Sequence, residues 1–335
     1  MRPARSSALP GFTLVEMLVA MAVLAVVMMV VFQITNTTGQ AWKRSSGNIE
    51  SMQGARIAFE TITRRLSQAT LNAYYAYDNP TSPTKYLRQS ELQFVAGKKL
   101  VAGQMGHAVF FQAPLGRVSD QTRYGNLGGL LNVCGFYLVY GKDPLRPTFF
   151  SNLPHPPVDE YRFRLMECVQ PSETGAIYSS LPAPLATIPN NWLAQAVAAG
   201  TAANHPLANN IVALIFLPEQ NAAGGKVTPL VADYEYDTSP AGAANSTLVN
   251  QLPPLVKVVM VAIDEASAIK LGNSATPPPL GMANLFQNTA QLQADLATLE
   301  GNLAATSGNA AGNNMTLNFH VFQTDVAIRE AKWSQ

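Results

Sequence analysis

The sequence predicts an α+β fold. It calls for one long N-terminal helix, apolar in its first half and amphipathic in its second, packed on an antiparallel β-sheet head with long loops. Three observations carry this. Phe12 to Phe32 is an unbroken apolar run with a single charge, Glu16. No proline occurs between Gly11 and Pro80. From Glu91 onward the pattern changes to short strand-like runs divided by Gly, Pro and Asn.

The apolar run comes first. At ~1.5 Å rise per residue it spans roughly 32 Å, about one hydrocarbon thickness. It holds no glycine or proline to interrupt a helix. A carboxylate in such a segment costs about 2.5–3.5 kcal/mol at the bilayer centre and less near an end, so Glu16 asks for an opposite charge. Residues 1–10 carry Arg2 and Arg5 and no acid. A secretory signal is cut after its apolar core, where the sequence offers only the weak Gly39-Gln40-Ala41. The alternative cut, between Gly11 and Phe12, leaves the helix on the mature chain. Lys43 and Arg44 follow the span, so basic residues flank it on both sides and the leader must set the orientation. This gives a cytoplasmic N-terminus and an exported bulk.

Beyond Phe32 the helix is expected to continue to about Tyr75, ending at Tyr74–Tyr77. Met52, Ala55, Phe59, Ile62, Leu66, Ala69 and Ala73 recur at three- and four-residue steps and define one face. Arg56, Glu60 and Arg64 sit at i, i+4 on another. Gly39, Gly47 and Gly54 favour a bend in the middle. The expected organisation is a leader at 1–11, a transmembrane or filament-core helix at 12–34, its amphipathic continuation at 35–77, and a head at 78–335.

Within the head, strands are expected at Glu91–Ala96, His107–Gln112, Val133–Tyr140, Tyr161–Cys168, Asn210–Leu217, Leu255–Ile263 and Leu317–Arg329. Tyr161–Leu165 alternates apolar and charged residues, predicting one wet face. Leu255–Ile263 is apolar on most of both faces and is assigned to the centre of the sheet. Ser179–Pro189, Asp237–Asn250 and Thr306–Asn314 read as surface loops, some of them mobile. Leu285, Leu292, Leu296, Leu299 and Leu303 make a helical stripe across Ala283–Ala305, which would dock on the head or serve a partner.

The chemistry of the chain is sparse. A net charge of +1 and no basic stripe argue against nucleic acid. His107, His155, His205 and His320 lack metal-ligand spacing, and those in strands are expected to be structural. No phosphate loop, G-x-S-x-G or H-E-x-x-H occurs. Asp233, Glu235 and Asp237 alternate, so a strand would put them on one face, as a weak calcium candidate; the other reading is a solvated acidic face or loop. Otherwise no cofactor is implied. If the runs ending in Cys134 and Cys168 pair with Tyr140 opposite Arg162, the two cysteines face each other. That leaves a disulfide or two buried thiols.

Gly11-Phe12-Thr13-Leu14-Val15-Glu16, behind a basic leader and ahead of the span, resembles the cleavage signal of type IV pilins and pseudopilins. The resemblance implies that prepilin peptidase cuts after Gly11 and methylates the amine of Phe12. It also implies that Glu16 pairs with the N-terminal amine of a neighbouring subunit. The partners are then other pilin or pseudopilin subunits, the peptidase and the membrane. The implied location is the inner membrane, single-pass with a periplasmic head, and a filament after assembly. No enzymatic activity is implied. Arg56–Gln68 and the large head are most like the J-type minor pseudopilins of type II secretion. Val321–Trp333 resembles the C-terminus of the Verru_Chthon cassette protein C family. Two features depart from relatives: major pilins often have a proline within the apolar helix, and K-type tip subunits usually lack the glutamate. The competing reading is a signal-anchored exported enzyme or ligand-binding domain.

Overall fold

The computed structural model describes residues 14–79, 81–179, 191–200, 203–222, 224–240, 242–282, 284–305, 307–308, 313–314 and 317–332. The chain divides into two units, Met1–Ile49 and Glu50–Gln335. Helix α1, Leu14–Leu66, contributes to both.

The second unit begins with the last turns of α1 and alternates thereafter between strands and short helices. In chain order these are β1 (Tyr74–Tyr77), β2 (Tyr86–Gln89), β3 (Val95–Lys98), β4 (His107–Pro114), α2 (Gln121–Tyr124), β5 (Leu131–Gly141) and β6 (Arg162–Val169). They continue with α3 (Ala176–Ser179), α4 (Asn191–Ala198), β7 (Asn204–Asn209), β8 (Ile211–Asn221), β9 (Val227–Pro229), β10 (Tyr236–Asp237) and β11 (Leu255–Ile263). The last are α5 (Glu265–Lys270), α6 (Leu292–Ala305), β12 (Ser307–Gly308), β13 (Asn313–Asn314) and β14 (Phe319–Ala327). All seven expected strands are present, Leu255–Ile263 with the expected ends and the other six with shifted ones. They build two sheets rather than one, ordered β10-β3-β4-β5-β6-β7 and β14-β11-β8-β9, and the pairs β1-β2 and β12-β13 stand apart.

The apolar face of α1 from residue 50 on packs as its spacing requires. Ala55, Ala58, Ile62 and Leu66 are buried in one core with Phe94 just ahead of β3, Phe111, Phe136 and Leu138 of the six-stranded sheet, and Val256, Val258 and Met260 of β11. The alanines let backbone approach sheet, while Ile62 and Leu66 each contribute about 1.5–3 kcal/mol of apolar burial. Phe59 adds a ring contact with Phe322 of β14, centroids 5.6 Å apart. On the outer face Arg56 Nε meets Glu60 Oε1 at 3.1 Å, the expected i, i+4 pair.

The helix stops at Leu66, short of the expected Tyr75, because the sheet captures the chain. Thr70 N–H donates to the Gln112 carbonyl of β4 at 2.9 Å, and Arg329 N–H to the Ser67 carbonyl at 3.1 Å. Asn72 then takes a left-handed φ of +46°. Tyr74–Tyr77, expected as the last helical turn, is therefore a strand paired with β2.

Strand β11 is interior to its sheet, and its two faces serve two cores. Val256, Val258, Met260 and Ala262 face the α1 core. Val259, Val261 and Ile263 join Val212, Ile215 and Leu217 of β8 in a second core closed by Leu292, Leu296, Leu299 and Leu303 of α6. The leucine stripe thus docks on its own head. Asp237–Asn250, expected as a surface loop, is anchored near its ends, and the described residues between 240 and 247 are mostly exposed. Thr238 N–H donates to the Phe94 carbonyl at 3.1 Å, and Asn250 N–H to the Thr238 carbonyl at 2.8 Å. Residues 180–190 and most of Thr306–Asn314 lie outside the described residues.

Strand β6 is covered on both sides, contrary to the wet face its alternation predicts. Arg164 is buried and donates to the backbone carbonyls of Gly141 and Glu160. Glu167 meets Arg65 of α1, Nη1 to Oε1 at 2.6 Å. Burial raises the Glu167 pKa above its ordinary 4.5, and the Arg65 charge opposes the rise. The folded chain therefore holds this proton more tightly than the unfolded chain, and stability falls as pH rises through the shifted value. As pH is lowered from 7 toward about 4.5, the wild-type Tm should climb relative to that of Glu167→Gln. A constant gap between the two would place Glu167 in a solvated setting.

Candidate functional site

The described part of the first unit is helix. Leu14–Gly39 is one stretch long and apolar enough to cross a membrane, with mean hydropathy 2.8 in its most apolar window. The large apolar side chains from Leu14 to Ile34 are each 48–80% exposed. A helix apolar all round is suited to lipid or to the core of a bundle. Glu16 lies in its first turn, where a negative charge is favoured by the helix dipole. The apolar stretch ends in hydroxyls that fold back on the helix: Thr35 donates to the Val31 carbonyl at 2.8 Å and Thr37 to that of Gln33 at 2.9 Å. This satisfies polar side chains locally at the end of an otherwise apolar surface. Gly11 and Phe12 lie outside the described residues.

The other residues singled out in the sequence do not converge on a site. The β5–β6 ladder runs one residue out of the expected register. Tyr140 is opposite Phe163, Cys134 opposite Val169, and Cys168 opposite Gly135. A one-residue slip turns every side chain to the other face. Cys134 accordingly shares its face with Glu167 and feels the Arg65 charge, whereas Cys168 lies against the Ala196 carbonyl of α4 at 3.7 Å. Both thiols are free and buried. Burial raises the pKa of each, that of Cys168 to about 12, so neither is a thiolate at neutral pH. Gly135 is also opposite Phe110 on β4, whose ring fills the space a Cβ there would take.

Asp233, Glu235 and Asp237 do not share a strand face. Only Tyr236–Asp237 is strand, and Tyr234 between the first two has a φ of +67°. Their oxygens take backbone donors: Asp233 from Glu235 N–H at 3.2 Å, Glu235 from Lys98 N–H at 2.9 Å, and Asp237 from Ser239 N–H at 2.8 Å. Among the described residues no group of three or more His, Cys, Asp or Glu side chains is arranged to hold a metal ion.

His107 and His320 lie in strands β4 and β14, packed on Tyr234 and Phe322 with ring centroids 4.7 and 4.5 Å apart. His205 faces Arg117. The sequence reading passed over Arg65, whose partner is distant along the chain, and Trp192, whose Nε1 donates to Gln93 Oε1 at 2.8 Å. The only signal for Trp192 was the apolar spacing of Trp192, Leu193 and Ala196 just beyond a proline-rich stretch.

No curated protein matches the chain. A type IV-like pilin from Thermus thermophilus is similar at 11% identity with a TM-score of 0.34, over 84% of this chain and 97% of that one. Residues 10–32 match the prokaryotic N-terminal methylation motif. That match spans Gly11, Phe12 and Glu16 and runs to the end of the apolar segment at Phe32. The chain thus carries the prokaryotic N-terminal methylation motif on the segment that leads into its long helix.

Proposed function

We propose that the chain is a minor pilin or pseudopilin, a non-catalytic subunit processed by prepilin peptidase and assembled through its N-terminal helix. The observation that carries this is the methylation motif set in register on a fully exposed apolar helix. Cleavage after Gly11 would free the Phe12 amine, and peptidase methylation would keep it basic. Glu16 of one subunit would meet that amine on the next, so that each charge enters the apolar bundle with its counterpart. The apolar helices then supply the filament core, and the heads present surfaces. The inner membrane is the expected residence before assembly, with the head on the periplasmic side. The large, elaborated head favours a low-copy priming or tip position, in the manner of J-type pseudopilins or the Verru_Chthon cassette protein C family.

N-terminal sequencing of the mature chain tests the processing step. The expected start is a methylated Phe12, and Gly11→Ala should block leader removal, leaving gel mobility the same with and without the peptidase. A mature start near Trp42 would instead mark a cleaved secretory protein. Retention of Met1 in cells with active peptidase would refute processing altogether.

A further inference from the structure

Each of the two main sheets ends in two outer strands, and three of these four carry a device against further pairing. β10 is two residues long, β9 is three and ends in Pro229, and β7 holds Pro206 with a bulge beside it. Short edges, prolines and bulges are the usual ways in which a sheet is closed to another chain. The length of β8 that β9 leaves unpaired is buried. β14 is different. It runs for nine residues with no proline, lysine or bulge, and it pairs with β11 without a register shift.

The hydrogen bonds that flank this ladder show which backbone groups stay free. Asp264 N–H donates to the Asn318 carbonyl at one end and Ile328 N–H to the Pro254 carbonyl at the other, both at 3.2 Å. In an antiparallel ladder, bonded and non-bonded pairs alternate. His320, Phe322, Thr324 and Val326 therefore turn their N–H and C=O toward β11. Phe319, Val321, Gln323, Asp325 and Ala327 turn theirs outward, and among the described residues no hydrogen bond reaches those groups. None of these outward residues is buried.

We propose that this edge takes up an extended segment of a partner subunit as a further antiparallel strand. The outward backbone groups supply the main-chain bonds, and the side chains set which segment fits. Phe319 and Val321 are half-buried against the second core and call for apolar side chains opposite them. Asp325 calls for a cation. Lys257 Nζ lies 3.3 Å from Asp325 Oδ1 and 3.0 Å from Glu219 Oε1, so one ammonium serves two carboxylates, and the Asp325 side chain is 47% exposed. A segment with Lys or Arg, followed four and six residues later by apolar side chains, meets both demands. That the partner is a subunit rests on the filament reading above; the open edge does not depend on it.

The test is fluorescence anisotropy with the full chain in lipid nanodiscs, empty nanodiscs serving as background. The probe is a labelled nine-residue peptide of threonine and valine, with lysine third and valine seventh and ninth. Its fourth, sixth and eighth amides are N-methylated; they face away from β14, and the methyl groups block stacking of further peptides. The expected result is saturable binding of one peptide per chain. Moving the methyl groups to the third, fifth and seventh amides, which face β14, should abolish it. Glutamate in place of the peptide's lysine should weaken it about tenfold, as attraction to Asp325 turns to repulsion. Gln323→Pro removes one outward N–H and leaves the β11 ladder whole, so it should fold and yet lose at least about tenfold in affinity. Gln323→Ala should bind like the parent. Absence of saturable binding, equal binding of the two methylation patterns or of the lysine and glutamate peptides, or full binding by Gln323→Pro would each overturn the proposal. The wild-type titrations decide the matter even if the proline variant fails to fold. A mature start near Trp42 would leave them unchanged while removing the filament as the source of the segment.

Discussion

Glu16→Ala is expected to insert in the membrane as well as the wild-type chain and to disappear from filaments. Insertion depends on the apolar stretch, and removing a carboxylate from it makes transfer into lipid easier by up to about 3 kcal/mol. Assembly, in the proposed mechanism, needs that same carboxylate. Without it, the Phe12 amine of a neighbour would enter the helix bundle with its charge unmatched, a loss of about 3–5 kcal/mol per contact. Through the thermodynamics of linear growth, that loss compounds with every subunit added. The measurement is the ratio of membrane-resident to sheared, sedimentable chain. An unchanged ratio would remove Glu16 from the mechanism. Glu16→Gln, which keeps the shape and discards the charge, should behave like the alanine variant and not like the parent.

Arg65→Ala should lower the stability of the head by about 3 kcal/mol, since deleting one member of a buried ion pair strands the other. Glu167 has 10% side-chain exposure and shares its sheet face with Cys134. With Arg65 gone, burial would favour its protonated form further, opposed only by the remaining charges of His205 and Arg117. Thermal unfolding of the full chain in detergent provides the readout, and a shift of less than about 0.5 kcal/mol, the scale of a surface pair, would mark the contact as peripheral. The double change Arg65→Met with Glu167→Leu should regain most of the loss, because well-packed apolar replacements of a buried pair are often neutral or better.

These two sites differ in how far the sequence reveals them. Glu16 stands out because one acid in an apolar run violates a strong pattern, and the motif around it is contiguous. The helix face through Ala55, Ile62 and Leu66 and the leucine stripe of α6 were readable for the same reason, since periodicity is local. Arg65 was not readable. Its neighbour Arg64 has the conspicuous i, i+4 spacing to Glu60, yet the partner that matters to Arg65 lies on β6. Termination of α1 at Leu66 was hidden likewise, because Thr70 leaves the helix to bond a strand that the local pattern does not mention.

Register was the sharpest loss. Alternation in β5 and β6 fixes which residues share a face of their own strand, but not which residue lies opposite which. The turn between them is long, so its length sets no register. Two sheets instead of one escaped notice because β11, apolar on both faces, satisfies either arrangement. DYEYD misled in a different way: a period of two implies a common face only while the backbone stays extended, and Tyr234 leaves that region.

The cysteines on opposite sides of the six-stranded sheet carry one more implication. A head whose two sulfurs are separated by its own backbone wall owes nothing to covalent cross-linking, and its integrity is set by packing and by the Arg65–Glu167 contact. Such a domain is indifferent to whether the surrounding compartment oxidises or reduces thiols.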